Sequence, residues 1–411
     1  MNKKENAVVA GSGKDKLILL TGLITYGVGQ TLLIVIFGPM ARDLGLSDIQ
    51  FGALISVSNM VIIFSSPRWG LASNTLGRRL VFVIGLLGFA FGYVALALGI
   101  QAGMWGLLTS SGLFLALLGA RLAYGVFAGA VQPAAAAYVA DTTDEASRAK
   151  GMALVAASGG LGSIIGPVVG GLLAEINPLI PFYVVAGFAV VVAIWAQTTL
   201  VEPAKHVAPA EGPRLKFTDR RILPYLFGWF IIFLVFTGIQ TITAFFVKDQ
   251  LGVAGQHEII RVTSTAVFCM AIATVFVQIM VMQFLKLQPR VLLRTSLICF
   301  GLSLWVLAQV DTVPMLFVAY ALMGLTASFA MPSLSTAASL SVEPHEQGAA
   351  AGLITAAPAV GMIFGPFLAA TVYTQNAQLP MYIGSAVMVL AGVGFWFVNT
   401  PLVPEESSVA D

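Results

Sequence analysis

Arg121 offers the most chemistry in this chain because it is the only charge in its surroundings, Leu117-Leu-Gly-Ala-Arg121-Leu-Ala-Tyr124-Gly125. A guanidinium placed deep in an apolar helix costs about 2.5–3.5 kcal/mol on insertion scales, so it is kept where it faces a cavity, a partner or a ligand. Its planar fork pairs well with carboxylates. No Asp or Glu falls in the middle of any apolar run. The nearest acids are Asp141, at the end of the same run, and Asp43, Asp249 and Asp311 at the ends of others. A buried cation without a buried carboxylate predicts a ligand that brings its own negative charge. The alternative is an arginine that satisfies backbone carbonyls. Polar groups in the runs expected to line a site are Tyr26 and Gln30 in the first, Gln240, Thr241 and Thr243 in the seventh, and Tyr320 in the tenth. All three histidines (His206, His257, His345) read as loop residues, and Cys269 and Cys299 fall in apolar runs where they pack. No metal or cofactor is expected. Gly11-Ser-Gly-Lys14 lacks the earlier glycine and the following hydroxyl of a phosphate loop, and Gly160, Gly162 and Gly166 have the wrong spacing for a dinucleotide fingerprint.

Two further strings carry small or charged residues at telling positions. One is Gly70-Leu-Ala-Ser-Asn74-Thr-Leu-Gly77-Arg78-Arg79, a tight turn with two arginines. The other is Gly162-Ser-Ile-Ile-Gly166-Pro167-Val-Val-Gly170-Gly171, where small residues every fourth position let a second helix approach and the proline bends the rod.

The elements that hold these residues are set by composition. Of 411 residues, 58% are hydrophobic and 10% charged, far below the roughly 25% charged residues of soluble domains, so lipid is the expected solvent. Twelve apolar runs long enough to span a bilayer are expected at 17–41, 50–72, 80–100, 112–139, 150–174, 180–200, 223–247, 262–285, 290–309, 312–339, 347–373 and 380–400. With the N-terminus inside, seventeen of the 21 Lys and Arg fall in inner segments and three, Arg42, Lys248 and Arg261, in outer ones. Cationic loops are retained on the cytoplasmic side, so both termini are expected there, with no cleaved signal. The polar stretch 201–221, with Pro203, Pro209, Pro213 and five cations, divides the chain. The expected organisation is a tail (1–16), an N-terminal six-helix bundle (17–200), a linker (201–221), a C-terminal six-helix bundle (222–400) and a second tail (401–411). An offset of 199 residues superposes Gly125 on Gly324, Pro133 on Pro332, Gly162 on Gly361, Gly166 on Gly365 and Pro167 on Pro366, with Asn177, Pro181 and Tyr183 following in register. The same offset pairs Arg121 with Tyr320.

These strings resemble those of the major facilitator superfamily. The turn Gly70–Arg79 is similar to its loop signature, with Asn74 where members carry Asp, which implies a weaker or purely hydrogen-bonded latch between halves. The Gly162–Gly171 string is similar to the antiporter motif of proton-coupled drug exporters, with Val155 in place of an earlier glycine. Ala137-Tyr138-Val139-Ala140-Asp141 and the loop to Lys150 are similar to tetracycline-type exporters. The surroundings of Arg121 resemble the helix-four motif, with Tyr124 for a common glutamine. The resemblance covers the whole chain and is strongest over residues 60–175.

It implies an all-α integral membrane fold of twelve helices in two pseudo-symmetric six-helix bundles, and alternating access to a midplane site lined by helices one, four, seven and ten. Tyr26, Gln30, Arg121, Gln240 and Tyr320 are then the candidate substrate contacts. Asp141 becomes the candidate for proton coupling, with helix capping or pairing to loop cations as its alternative. Gly70, Asn74, Gly77, Arg78, Arg79, Gly162, Gly166, Pro167, Gly170, Gly361, Gly365 and Pro366 serve conformation. The expected activity is secondary transport, without enzymatic chemistry, of a small amphipathic organic anion across the plasma membrane, a bacterial inner membrane, by proton-coupled export. An uptake carrier for a metabolite or siderophore and a membrane sensor on the same scaffold are the alternatives. The expected partners are the substrate, protons and the bilayer, with no nucleic acid and the chain a monomer.

Overall fold

The computed structural model describes residues 13–143, 145–203, 215–278, 289–343 and 346–398, and among these the regular elements are all helices. They are α1 (Gly13–Ala41), α2 (Asp48–Leu76), α3 (Arg78–Met104), α4 (Ser110–Thr142), α5 (Glu145–Ala174), α6 (Ile180–Thr199), α7 (Leu223–Asp249), α8 (Gln256–Phe276), α9 (Pro289–Ala308), α10 (Val313–Leu340), α11 (Gln347–Tyr373) and α12 (Leu379–Gly394). Eleven of them are long and apolar enough to cross a membrane. In hydrocarbon a backbone N–H or C=O has no water to turn to, so each run closes its own hydrogen bonds as a helix.

The ends follow from local chemistry. Ser47 and Gln50 form a reciprocal capping box at the start of α2, and Thr109 accepts from the Gly112 amide at the start of α4. Pro181, Pro224, Pro314 and Pro380 sit in the first turns of α6, α7, α10 and α12, where a missing N–H costs nothing. Four expectations shift. The α1 helix begins at Gly13 inside the expected tail, with Asp15 in its first turn favouring a helix N-terminus. The α12 helix has 16 residues and stops at Gly394 rather than near 400, where Arg294 of α9 donates to the carbonyls of Phe395 and Trp396. His257 lies in the first turn of α8, not in a loop, while His206 and His345 lie outside the described residues. Cys269 is half-buried but Cys299 is exposed, so the second cysteine does not pack as expected.

The chain divides into two compact units, residues 1–208 with 255–264, and 209–254 with 265–411. Each is built by the same packing. In the first, α1 lies along α5 and α3 packs on α4 and α6. In the second, α7 lies along α11 and α9 packs on α10 and α12. Small residues permit the closest of these contacts. A Cβ on Gly162 would overlap the Ile24 carbonyl and come within 2.9 Å of Gly27 Cα, and one on Gly361 would reach Phe230 O and, at 2.6 Å, Leu234 N.

The α4 rod is interrupted at Gly129-Ala130. Pro133 has no N–H to offer the Gly129 carbonyl four residues back, and Ser66 Oγ of α2 donates to that carbonyl at 3.0 Å. Ser65 Oγ donates to Gly125 O at 3.0 Å and Trp69 Nε1 to Val126 O at 2.6 Å. The second unit repeats the device around the residue paired with Gly125: Thr274 Oγ1 of α8 donates to Gly324 O at 3.3 Å.

Two glycines two positions apart separate close packing from simple composition. Gly162→Leu is expected to lower the melting temperature in detergent by an overpacking cost of about 1–3 kcal/mol. Gly160→Ala, whose Cβ would meet nothing within 4 Å, should leave it unchanged or slightly higher.

Candidate functional site

Arg121 projects from α4 into the first unit and is 3% exposed. Its Nε donates to Ser58 Oγ of α2 at 2.6 Å, and the Ser58 hydroxyl passes its own proton to Leu54 O at 2.5 Å. The guanidinium carbon lies 4.1 Å from the centre of the Tyr124 ring. That arrangement is a cation–π contact one turn along the same helix. Tyr124 Oη donates to Gln30 Oε1 at 3.2 Å, and Gln30 Nε2 donates to Tyr26 Oη at 2.7 Å. Tyr93 of α3 donates to the Gly29 carbonyl. Phe89 lies between them, its ring centre 4.7 Å from Tyr93, 5.6 Å from Tyr124 and 6.0 Å from Tyr26.

Three of the nominated residues, Tyr26, Gln30 and Arg121, therefore meet in one chain of contacts on α1 and α4. Ser58, Phe89, Tyr93 and Tyr124 belong to it without having been nominated. The signal for Ser58 was the polar interruption Ser56-Val-Ser58-Asn59 in the second apolar run. Tyr124 replaces the glutamine that the resemblance led one to expect, and its ring and hydroxyl face the cation and Gln30 respectively. The ion pairs among the described residues do not include Arg121. Among the described residues no carboxylate pairs with Arg121, and neutral groups hold it on one edge and one face.

The nominated residues of the second unit stand differently. Tyr320 of α10 is fully buried and its hydroxyl is bonded to Thr243 Oγ1 of α7. Thr243 in turn donates to Ile239 O, and Thr241 to Thr237 O. Gln240 is half-buried, with no hydrogen bond among the described residues. The position paired with Arg121 by the repeat is thus a neutral, internally bonded phenol.

At the α2–α3 turn, Gly77 takes φ +100°, a conformation that side chains resist. A Cβ there would also lie 2.8 Å from the Glu202 carboxyl carbon. Glu202, just beyond α6, accepts from the backbone amides of Arg78 and Arg79, satisfying two free donors at the N-terminus of α3. Arg79 Nη1 donates to Leu200 O at 3.2 Å and Tyr138 Oη to Val201 O at 2.7 Å, so the start of the expected linker is fastened to the first unit. Arg78 Nε pairs with Asp141 Oδ2 at 2.9 Å, and its Nη1 donates to Ser73 Oγ. Asp141, the proton-coupling candidate, is thus a partner of a loop cation. Asn74 is exposed. Gly70 packs near Pro133. Glu202 was not nominated, being an acid at the edge of a stretch read as linker.

The other end of that stretch is fastened to the second unit, while 204–214 lie outside the described residues, as do 286–288 of the basic loop after α8. Leu215 packs against Ile222, Leu226, Val342 and Ala350. Arg221 donates to Asp219 Oδ2 at 2.8 Å and grips both oxygens of Glu346, at 2.8 and 2.9 Å, beside the start of α11. The hydrogen bond from Arg221 holds the Asp219 carboxyl below its ordinary value and raises the guanidinium's.

The Major Facilitator Superfamily profile matches residues 19–287 and 261–410. The chain belongs to this superfamily. Among curated relatives, the superfamily chain is 27% identical to Multidrug resistance protein 1 of Bacillus subtilis, covering 91% of this chain and 93% of that one. It is 23% identical to the quinolone resistance protein NorA of Staphylococcus aureus, over 90% and 92%. Its fold matches a bacterial homologue of the human lysosomal transporter Spinster, solved inward-facing and occupied (TM-score 0.70, 16% identity, 93% and 95% covered). It also matches the human organic anion transporter MFSD10 (TM-score 0.65, 19% identity, 93% and 99% covered). This superfamily member is a multi-pass membrane transporter and not an enzyme.

The Arg221 network gives a pH signature outside the membrane. Because the Asp219 pKa is depressed in the folded state, its stabilisation is present above the ordinary carboxylate range and disappears as pH falls through the depressed value. Arg221→Gln should lower the melting temperature slightly at pH 7, less at high salt, with the difference closing below about pH 4. Melts of both proteins from pH 7 to pH 3 check this.

Proposed function

We propose that this transporter exports a small amphipathic organic anion, coupled to protons. The observation that carries the reading is the buried Arg121, which meets Ser58 and Tyr124 and, among the described residues, pairs with no carboxylate. A guanidinium withdrawn from water with only neutral partners is stabilised by an arriving anion, and a carboxylate matches its fork. The aromatic groups beside it, Phe89, Tyr93 and Tyr124, suit the apolar body of such a molecule. Tyr26 and Gln30 complete the proposed contacts in the first unit, and Gln240 and Tyr320 are the candidates within the second.

Export is supported by the drug-resistance relatives and by the Gly162–Gly171 string packed along α1. Asp141 is the candidate for proton coupling, its carboxylate pairing with Arg78 at 2.9 Å and so tying α3 to α4. The six-helix bundles 17–200 and 222–400 alternate access, with both termini in the cytoplasm of a bacterial cell, a reading that the uneven distribution of Lys and Arg between alternate loops supports. The working form is a monomer.

Thermal shift of the detergent-purified protein with a panel of organic anions and lipophilic cations tests the substrate class. Anions are expected to stabilise the wild type selectively, and Arg121→Ala should weaken them by roughly ten- to a hundredfold, the worth of a charge-assisted hydrogen bond. Equal or cation-preferring responses in both proteins would reduce Arg121 to a structural role.

A further inference from the structure

A guanidinium presents a carboxylate with two bidentate edges, one made by Nε with a terminal nitrogen and one by the two terminal nitrogens. In Arg121 the first edge is already taken. Ser58 is fully buried, accepts the Nε–H at 2.6 Å, and has its own proton committed to Leu54 O at 2.5 Å. That commitment fixes the direction of the bond, so Ser58 keeps a lone pair on Nε and has no proton to turn toward a ligand. Tyr124 covers one face of the fork at 4.1 Å and is itself bonded to Gln30. What remains are the terminal nitrogens, which pair with no carboxylate among the described residues.

We infer that Ser58 is a positioning residue that reserves the Nη1–Nη2 edge of Arg121, so that the substrate's carboxylate is taken end-on by the two terminal nitrogens. This rests on the anionic reading of the substrate and adds the geometry that selects it. Ser58 does not touch the substrate. It sets which edge of the cation is offered, and without it Nε would compete for the same oxygen atoms and the fork would turn about its stem.

The test compares 4-phenylbutyrate with its uncharged amide, 4-phenylbutyramide, binding to full-length wild type, Ser58→Ala and Ser58→Thr. The wild type is expected to prefer the carboxylate. Ser58→Ala should lose about tenfold of carboxylate affinity, the order expected for a hydrogen bond to a charged group, while amide affinity stays put. Ser58→Thr, which keeps the hydroxyl, should restore the preference and so separate positioning from packing. If Ser58→Ala keeps the full preference, or both probes weaken equally and threonine restores neither, the positioning role is wrong while the anionic reading stands. If the wild type itself does not distinguish the two probes, the anionic reading fails and this inference with it.

Discussion

A polypeptide in hydrocarbon must answer each of its own backbone hydrogen bonds, and the architecture follows from where that is easy and where it is not. Uninterrupted helices answer it internally. The interruption in α4 does not: Ser66 and Trp69 of α2 are aimed at the Gly129 and Val126 carbonyls it frees, and Ser65 adds a bond to Gly125 O, which keeps its helical partner. This repair fixes α2 against α4 over the stretch that also carries Ser58 and Arg121. The charged centre is therefore placed by the same contacts that mend the break, and a site built there inherits the rigidity of the repair.

The two units answer the constraint alike but use the space differently. Both bring a pair of helices together through glycines, α1 on α5 and α7 on α11, and both satisfy a carbonyl of the fourth helix from the second. The first unit then hosts a cation among aromatic rings, whereas the second closes the equivalent position with a tyrosine bonded to a threonine. A repeat shared in packing thus differs in chemistry, with the buried guanidinium in the first unit and a bonded phenol at the paired position in the second.

Much of this was legible in the residues. The helices followed from runs of apolar residues, and the repeat from glycines and prolines whose roles are steric and so tolerate no substitution in kind. Arg121, Tyr26 and Gln30 stood out as polar groups in apolar surroundings, and they meet. Ser58 and Tyr93 did not stand out, because a serine in a membrane helix ordinarily bonds its own backbone and a tyrosine ordinarily packs; only the fold brings the one to Arg121 and the other to Gly29. Glu202 escaped for a related reason. Its partners are main-chain amides 123 and 124 residues away, and backbone donors leave no mark in a sequence. The end of α12 was misplaced because the carbonyls beyond it are answered by Arg294 from α9, a distant side chain.

Glu202 bonds the main chain of Arg78 and Arg79, while the side chains of Arg79 and Tyr138 bond the carbonyls of Leu200 and Val201. The exit of α6 is thereby sewn to the turn between α2 and α3 from both sides, and to α4 by Tyr138. Every stitch in that seam has a main-chain atom at one end, so a substitution can remove only one of its two partners.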